Sequence, residues 1–280
     1  MSEDKLATPE GSMDAAAVDA PAKPVPAAMP GIEVNKIGTD APWRWLQLGW
    51  KDLMATPFSS MTYGVIFAMI GMILLWGLSA LKQPYLILPF TFGFFIIAPA
   101  LATGVYELSR RLELEEFPTF GETVPSFLRN LTQILFGAGT VCLMLFGFVR
   151  LSILLFMLFF AAQPPALDQV VTSIFFTTTG WSFLATWLVL GGVWAFSIFA
   201  GAAIAFPMML DRPQSTTIDG MVTSFRAVLR NPGPMLLWAA LIVVMTFAGI
   251  MTLFIGLAVA LPLIAHASWH AYRELTQGQE

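Results

Sequence analysis

Runs of apolar residues long enough to cross a bilayer recur along this chain of 280 residues. A helix of about 20 residues spans the roughly 30 Å hydrocarbon core of a membrane, so each run is a candidate transmembrane helix. Composition agrees, since only 11% of the residues are charged, against about 25% in soluble domains. The sequence therefore predicts an integral membrane protein, with apolar runs at about 60–81, 85–106, 131–155, 181–207 and 234–272.

The last apolar region, 234–272, is too long for one crossing. As a single helix it would measure about 58 Å, nearly twice the thickness of the hydrocarbon core. We therefore expect a tight turn near Met251 and Thr252, which divides the region into spans at 234–251 and 253–272. The predicted fold is all-α, a polytopic membrane helix bundle of six transmembrane helices.

Lysines and arginines are distributed unevenly between the expected loops. Nearly all of them precede span 1, lie between spans 2 and 3 or spans 4 and 5, or follow span 6. Because cytoplasmic loops are enriched in these residues, the pattern predicts that both termini lie in the cytoplasm. It also requires an even number of crossings between Arg230 and Arg273, which supports dividing the last apolar region.

Residues 1–40 differ from the rest of the chain. They are rich in alanine, proline and acidic residues, and they contain no apolar run. Such a segment buries too little surface to offset the entropy lost on ordering. The sequence predicts a disordered cytoplasmic tail over 1–40 and a six-span membrane domain over 41–276.

A short pattern recurs before each expected pair of spans. It consists of an apolar residue, a cation and Asp or Asn, and proline follows at Pro57 and Pro232 in the first and third copies. We interpret the chain as three hairpins, each preceded by a cytoplasmic amphipathic helix. The three copies of the pattern are Trp50-Lys51-Asp52, Leu128-Arg129-Asn130 and Leu229-Arg230-Asn231.

The first of these amphipathic segments shows what they are expected to do. Trp43, Leu46, Trp50 and Leu53 fall at helical spacing on one face. Such a helix lies in the headgroup plane, with its cations directed toward anionic lipid. Lys51, Arg129 and Arg230 are therefore expected to be equivalent interface cations.

Several stretches carry a resemblance to a known family. These are "WLQLGWKDLMATP", "YELSRRLE" followed by "FPTF", "FRAVLRNPGPMLLWA" and "HASWHAYRELT". Together, over about residues 43–276, they resemble a domain-of-unknown-function family of bacterial integral membrane proteins, some of which carry a provisional cytochrome c oxidase subunit label. The resemblance implies a bacterial inner (plasma) membrane location, and it brings no catalytic residues.

The two histidines of the chain, His266 and His270, are the main candidates for chemistry. They project from the same side of one helix, so they are poorly placed to bind one haem iron from opposite faces. They could supply two corners of a metal site, with Glu107 or Asp211 as the nearest third ligand. The sequence favours a structural interpretation, in which the histidines and Arg273 form a polar stripe at a helix end, and it predicts no bound cofactor or metal.

In that structural interpretation, Trp269 and Tyr272 belong to the aromatic belt at the membrane interface. Arg273 is expected to satisfy the terminal carbonyls of its helix. We also expect replacement of both His266 and His270 by glutamine to leave the fold intact.

Two further charged residues are candidates. Arg150 lies about 29 Å along a helix from Leu131, so it is expected to anchor at the outer interface, with anion binding in an outward cavity as the functional alternative. The apolar segment after it is either a tilted continuation of the span or an outer-surface helix. Glu107 belongs to a group of acids beside Arg110 and Arg111, which we interpret as a solvated helix with local ion pairs.

Three functions remain open. The first is a non-enzymatic component that organises a membrane complex or the lipid surface. The second is a small-solute transporter or channel-like protein, suggested by the repeats and by prolines inside spans. The third is a respiratory oxidase-associated subunit without its own haem–copper centre. The expected partners are the bilayer and its anionic headgroups, a membrane complex or further copies of this chain, and no nucleic acid.

Overall fold

The computed structural model describes residues 32–73, 76, 101–166 and 169–276. These residues form helices joined by short turns, and they contain no strand. The predicted tail up to residue 31, the end of the first expected span and most of the second lie outside the described residues.

The helices are numbered here in chain order. Residues 124–130 form a 3-10 helix that joins α4 to α5. The helices are α1 (Ala41–Ala55), α2 (Pro57–Met72), α3 (101–113), α4 (Phe120–Thr123), α5 (Leu131–Phe160), α6 (Val170–Phe175), α7 (Thr178–Ala202), α8 (Ala205–Asp211), α9 (Thr217–Arg230), α10 (Pro232–Met251) and α11 (Leu257–Thr276).

Three helical segments within the described residues are long and apolar enough to cross a membrane: Phe120–Phe160, Thr178–Asp211 and Pro232–Met251. They coincide with the third, fourth and fifth expected spans. A fourth candidate arises if α1 and α2, which meet at 106°, are counted as one bent span. The expected sixth span corresponds to α11, which is not among these candidates.

The last apolar region is divided between two helices. Helix α10 ends at Met251 and α11 begins at Leu257. In the turn between these two helices, Leu253 and Phe254 adopt positive φ angles of 55° and 69°. This conformation reverses the chain direction in a few residues. Thr252 fastens the turn, because its Oγ1 accepts a 2.8 Å hydrogen bond from the backbone N–H of Gly256.

Helix α5 is longer than the span expected over 131–155. It runs without interruption for 30 residues, about 45 Å, so residues 151–160 continue the helix and do not form a separate outer-surface helix. Arg150 is exposed on it, and its guanidinium lies 5.0 Å from the centroid of the Phe146 ring. The anchoring of this arginine at the outer interface stays a prediction.

Helix α11 lies at the centre of the packing. Twelve of its 20 residues are buried, and α1 and α2 pack along it. Gly49 of α1 lies close to the α11 backbone, because a Cβ added there would lie 2.7 Å from the backbone nitrogen of Ala267. Trp269 and Tyr272 are completely buried, so their predicted place in an interfacial aromatic belt is wrong.

Residues 32–38 form a segment without regular secondary structure that packs on the helical bundle. The backbone N–H of Asn35 donates to the carbonyl of Leu275 at 2.9 Å, and the Asn231 side chain donates to the carbonyl of Asn35 at 2.9 Å. Ile32 and Val34 are buried. The packed part of the chain therefore extends to Ile32, beyond the boundary at residue 41 that composition suggested.

Single-residue elbows precede three of the helices. The φ and ψ angles are −127° and 55° at Thr56, −143° and 44° at Asn130, and −130° and 55° at Asn231. Each elbow begins the helix that follows it, and Pro57 and Pro232 occupy the first helical position after two of them, where proline is well tolerated. The backbone thus adopts the same conformation at three places.

Helices α1 and α9 share a burial pattern when their residues are counted back from the elbows. Positions three, seven and eleven residues before each elbow are buried, and positions two, six and thirteen residues before it are exposed and apolar. The buried residues are Leu53, Gly49 and Trp45 in α1 and Val228, Ser224 and Gly220 in α9. The exposed residues are Met54, Trp50 and Trp43 in α1 and Leu229, Phe225 and Ile218 in α9.

This pattern corrects the predicted apolar face of α1. Leu53 was placed on one face with Trp43 and Trp50, but it packs inward while both tryptophans stay about half exposed. Trp45 supplies the inward aromatic residue, and its ring meets that of Trp238 edge to face at 5.7 Å between centroids. The helix is therefore apolar on two sides.

Candidate functional site: the polar layer around His266

Helices α1, α2, α3 and α11 bring five polar side chains together in the interior. Ser60, Ser109 and His266 are completely buried. The side chains of Asp52 and His270 each remain 13% exposed. We call these five residues the His266 cluster. Burial of so many polar groups is tolerated only when they bind one another.

The hydrogen bonds of the His266 cluster form one chain. His266 is in contact with Ser60 through Nε2 at 2.9 Å and with Ser109 through Nδ1 at 2.7 Å. Ser109 donates to Asp52 Oδ2 at 2.6 Å, and His270 Nε2 lies 2.8 Å from the same oxygen. Thr56, at the elbow, extends the chain through its hydroxyl, 3.1 Å from that of Ser60.

The number of available protons assigns the donor and the acceptor of each hydrogen bond in the His266 cluster. An ionised Asp52 can only accept hydrogen bonds, so Ser109 uses its single hydroxyl proton to donate to Asp52. Ser109 must then accept from His266, which places the ring proton on Nδ1. Nε2 is left to accept from Ser60, so the hydrogen bonds assign His266 as a neutral imidazole with both nitrogens in use.

This assignment bears on the metal and haem interpretations of the histidines. His266 offers no free nitrogen to a metal, and Nε2 of His270 is bound to Asp52. The expected third ligands are bound elsewhere, Glu107 by arginines and Asp211 by Tyr272. Over the described part of the chain, no three His, Cys, Asp or Glu side chains are grouped as a metal site would require.

Glu107 is the second buried centre. It is completely buried on α3, and its carboxylate binds Arg110, Arg111 and Arg129 at 2.7 to 2.9 Å. The sequence placed Glu107 on a solvated helix with weak local pairs, and the burial contradicts that prediction. Arg129 was expected to be an interface cation directed toward anionic lipid, but it binds this carboxylate from the 3-10 helix.

The pKa of Glu107 reports the balance of two effects. Burial alone would raise the pKa of the carboxyl group, but the hydrogen bonds from Arg110 and Arg111 and the charges of the arginines lower it to about 2. The attraction of the guanidinium groups for the ionised form therefore outweighs desolvation. Glu107 is a permanent anion that holds three cations around α3.

A third group of charges surrounds the end of α11. Arg273 lies 3.2 Å from Glu113 Oε2 and 3.5 Å from Asp211 Oδ2, and Tyr272 donates to Asp211 at 2.7 Å. Trp269 donates to Glu113 at 2.9 Å. Arg273 therefore links α11 to the ends of α3 and α8, whereas the sequence predicted that it would cap its own helix.

Asp52, Ser60 and Ser109 were not identified from the sequence. Ser60 and Ser109 stand close to the ends of apolar runs, where serine is common and carries no signal. Asp52 was noted only as the end of a repeated pattern. Its contact with His270 joins residues 218 positions apart, and no local pattern could have indicated that pairing. Of the predicted candidates, the structure brings only His266 and His270 into this cluster.

The interface cations Lys51 and Arg230 are exposed on α1 and α9. Neither contributes to the His266 cluster or to the arginine group around Glu107, as far as the described residues extend.

Comparison with known proteins gives one match. Residues 87–211 match the family model described as "Predicted integral membrane protein (DUF2189)". The matched region covers Glu107, Arg129, α5 and α7, and it ends at Asp211. Searches of curated proteins and of solved structures found no match.

The family match and the long apolar helices agree. The chain is an integral membrane protein with several membrane-spanning helices. The family description names no activity, and it contains no reference to an oxidase.

Proposed function

We propose that this protein is a non-enzymatic component of a bacterial inner-membrane complex, with six spans and both termini in the cytoplasm. In this proposal the polar layer forms a rigid cytoplasmic base, and the spanning helices present their apolar surfaces to lipid and to other membrane proteins. The chain consists of three units, each with a surface segment followed by a hairpin of two spans.

The three elbows support the repeat. Thr56, Asn130 and Asn231 share one backbone conformation at the expected starts of the hairpins. Counting from these elbows changes the register of the interface cations. Lys51 then corresponds to Arg226, while Arg129 corresponds to Arg230.

The contacts between units support a cyclic arrangement. The surface helix α9 of the third unit packs on α7 and α8 of the second. The surface segment of the second unit binds α3 of the first through Arg129 and Glu107. Helix α1 of the first unit packs on α11 of the third. Each surface segment thus packs on the second hairpin helix of another unit.

The exposure of the spanning helices is the observation that carries the proposed function. Within the most apolar windows of the three candidate spans, only 6%, 17% and 22% of the residues are buried. Leu143, Val193 and Val243, one in each span, are between 62% and 75% exposed. Helices that cover so little of one another are free to pack against further subunits.

The buried polar groups support a structural role for the cytoplasmic layer. The side chains of the His266 cluster bind one another, and the arginines around Glu107 share one anion. Such a satisfied network rigidifies a core and specifies its geometry. It holds the ends of four helices in fixed positions, as a base for spanning helices requires.

Photo-crosslinking in native membranes tests this proposal. The photoreactive amino acid p-benzoylphenylalanine is placed at Leu143, Val193 or Val243 in a tagged full-length chain. We expect at least one of these positions to give a discrete crosslinked protein, present in stoichiometric amount after affinity purification.

A buried position provides the matched control. Ala138 lies on α5 with Leu143 but is completely buried, so a crosslinker there should react within the chain. If the three exposed positions label only lipid, and the purified protein carries no other subunit, the proposed role in a complex is refuted. Solute uptake by the purified protein in vesicles would instead support a transporter.

A further inference from the structure

Helix α9 has an unusual distribution of side chains. Its inward face is made of small or polar residues, with Gly220, Ser224 and Ala227 among them. Its outward face carries four large apolar residues, between 40% and 67% exposed. We call this outward face the α9 stripe, and it consists of Ile218, Val222, Phe225 and Leu229.

The connection to α10 determines what the α9 stripe can face. Asn231 alone separates α9 from Pro232, the first residue of a 20-residue candidate span. A helix of that length only just crosses the hydrocarbon core. In the proposed topology α9 therefore ends at a membrane surface, where its large apolar face can enter the boundary between headgroups and acyl chains.

Two arginines lie beside the stripe at the level expected for headgroups. Arg226 and Arg230 are exposed, and neither forms an ion pair with any acid that the structure describes. Together with Leu229 and residues 32–34 they line a groove of about 430 Å³. Glu33 also lines it, so the groove carries two positive charges against one negative charge.

We propose that α9 binds anionic phospholipid, with Arg226 and Arg230 at the headgroup phosphate and the α9 stripe among the acyl chains. The groove beside residues 32–34 is the headgroup site. This inference rests on the proposed membrane-surface position of α9, and it adds selectivity for negatively charged lipid. Cations beside an apolar stripe fit such a lipid, because one ligand offers both a phosphate and acyl chains.

Helix α1 repeats the arrangement at equivalent places. Trp43, Trp50 and Met54 stand at the positions of Ile218, Phe225 and Leu229, and Lys51 stands at that of Arg226. Helix α1 has no cation at the position of Arg230, where it carries Ala55. The two-arginine headgroup site therefore distinguishes α9 from α1.

Fluorescence quenching by lipids tests the proposal. The full-length protein with Cys142→Ala and Val222→Cys is labelled with a fluorophore at residue 222, within the stripe. It is reconstituted in nanodiscs of mixed phosphatidylcholine and phosphatidylglycerol, and the nitroxide quencher is carried either by the zwitterionic lipid or by the anionic lipid. We expect stronger quenching when the anionic lipid carries the nitroxide.

The arginines should determine this preference. Each of Arg226→Gln and Arg230→Gln should lower the preference for anionic lipid about five-fold, and the lysine replacements at both positions should retain most of it. Arg150→Gln removes the same charge from an exposed position on α5 and should leave the preference unchanged. Thermal unfolding of each variant establishes that the fold is retained.

The alternative outcomes distinguish between two claims, the position of α9 at the bilayer surface and its anionic headgroup site. Equal quenching by both lipids would refute the anionic headgroup site while leaving α9 at the bilayer surface. Absence of quenching by either lipid would place the stripe against protein, such as a second copy of the chain, and would refute both. An equal loss of preference in Arg150→Gln would refute the assignment to this groove.

Discussion

Arg129 and Glu107 are joined by two hydrogen bonds of 2.9 and 2.8 Å, one from each terminal nitrogen of the guanidinium group. The pair connects the 3-10 helix before α5 to α3, and it lies within the region that matches the membrane-protein family. Paired contacts of this kind fix orientation as well as distance. The start of α5 is therefore held by a buried charge.

Removal of that charge should destabilise the protein strongly. Glu107→Gln keeps the shape of the side chain but leaves three guanidinium groups around a neutral amide. Loss of one partner from a buried ion pair costs about 3–5 kcal/mol, so the melting temperature should fall markedly. Arg129→Gln should have a smaller effect, because Arg110 and Arg111 still bind the carboxylate. Thermal unfolding in nanodiscs measures both, and equal melting temperatures for wild type and Glu107→Gln would contradict the assigned role.

The same residue predicts a dependence of stability on pH. Its pKa is lowered from 4.5 to about 2 in the folded protein, so folding favours the ionised form. This contribution is present in full above the unfolded pKa, and it is lost as the pH falls from about 5 to 2. Melting temperatures across that range should decline less steeply in Glu107→Gln than in wild type. Parallel declines would show that other carboxyl groups dominate acid unfolding.

The close approach of α1 and α11 should be sensitive to one methyl group. A Cβ at Gly49 would lie 2.7 Å from the Ala267 nitrogen, and backbone cannot move aside as a flexible side chain can. Gly49→Ala should therefore cost about 1–3 kcal/mol. Gly139→Ala is the control, since no heavy atom outside its own stretch of helix lies within 4 Å of its Cβ position and alanine favours helix. Equal stability of the two variants would place α1 farther from α11 than described.

The structure changes the expected effect of replacing the histidines. His266 is completely buried between two serines, whereas His270 remains partly exposed and binds only the outer end of the chain of hydrogen bonds. His266→Leu should leave Ser60 and Ser109 without this partner, at about 1–3 kcal/mol for each group. His270→Gln should cost less. A stable His266→Leu variant would restore the original expectation that both histidines can be replaced without loss of the fold.

Reporter fusions test the proposed topology. Fusions after Lys82, Asp168 and Met251 should report the external side, and fusions after Glu115, Gln214 and Glu280 should report the cytoplasm. The charge distribution supports this orientation. A cytoplasmic signal after Asp168 would be incompatible with six spans.

Membrane thickness made part of this fold predictable. A run of apolar residues twice the length of a span must break, and the break at Met251 followed from that limit alone. The inward face of α1 was harder to predict, because lipid and protein interior both accept apolar side chains. Trp43 is about half exposed and Trp45 is completely buried. Because both are tryptophans, hydrophobicity does not distinguish them.

The polar contacts depended on pairings between distant parts of the chain. Glu107 and Arg129 are 22 residues apart, and Ser60 and His266 are 206 residues apart. Each side chain alone resembles a solvated residue at the end of an apolar run. Only the packing of α3 and α11 shows that these groups are buried, because it brings their partners into contact.

The packing of α1 on α11 also has a consequence for biosynthesis. Roughly 200 residues separate the two helices, and translation at about 5–20 residues per second requires on the order of 10–40 s to produce them. Throughout that interval Trp45 and Leu53 lack the helix that covers them in the finished protein. The nascent helix must shelter these side chains at the bilayer surface or on an insertion factor, and it can take its final place only after α11 has been synthesised.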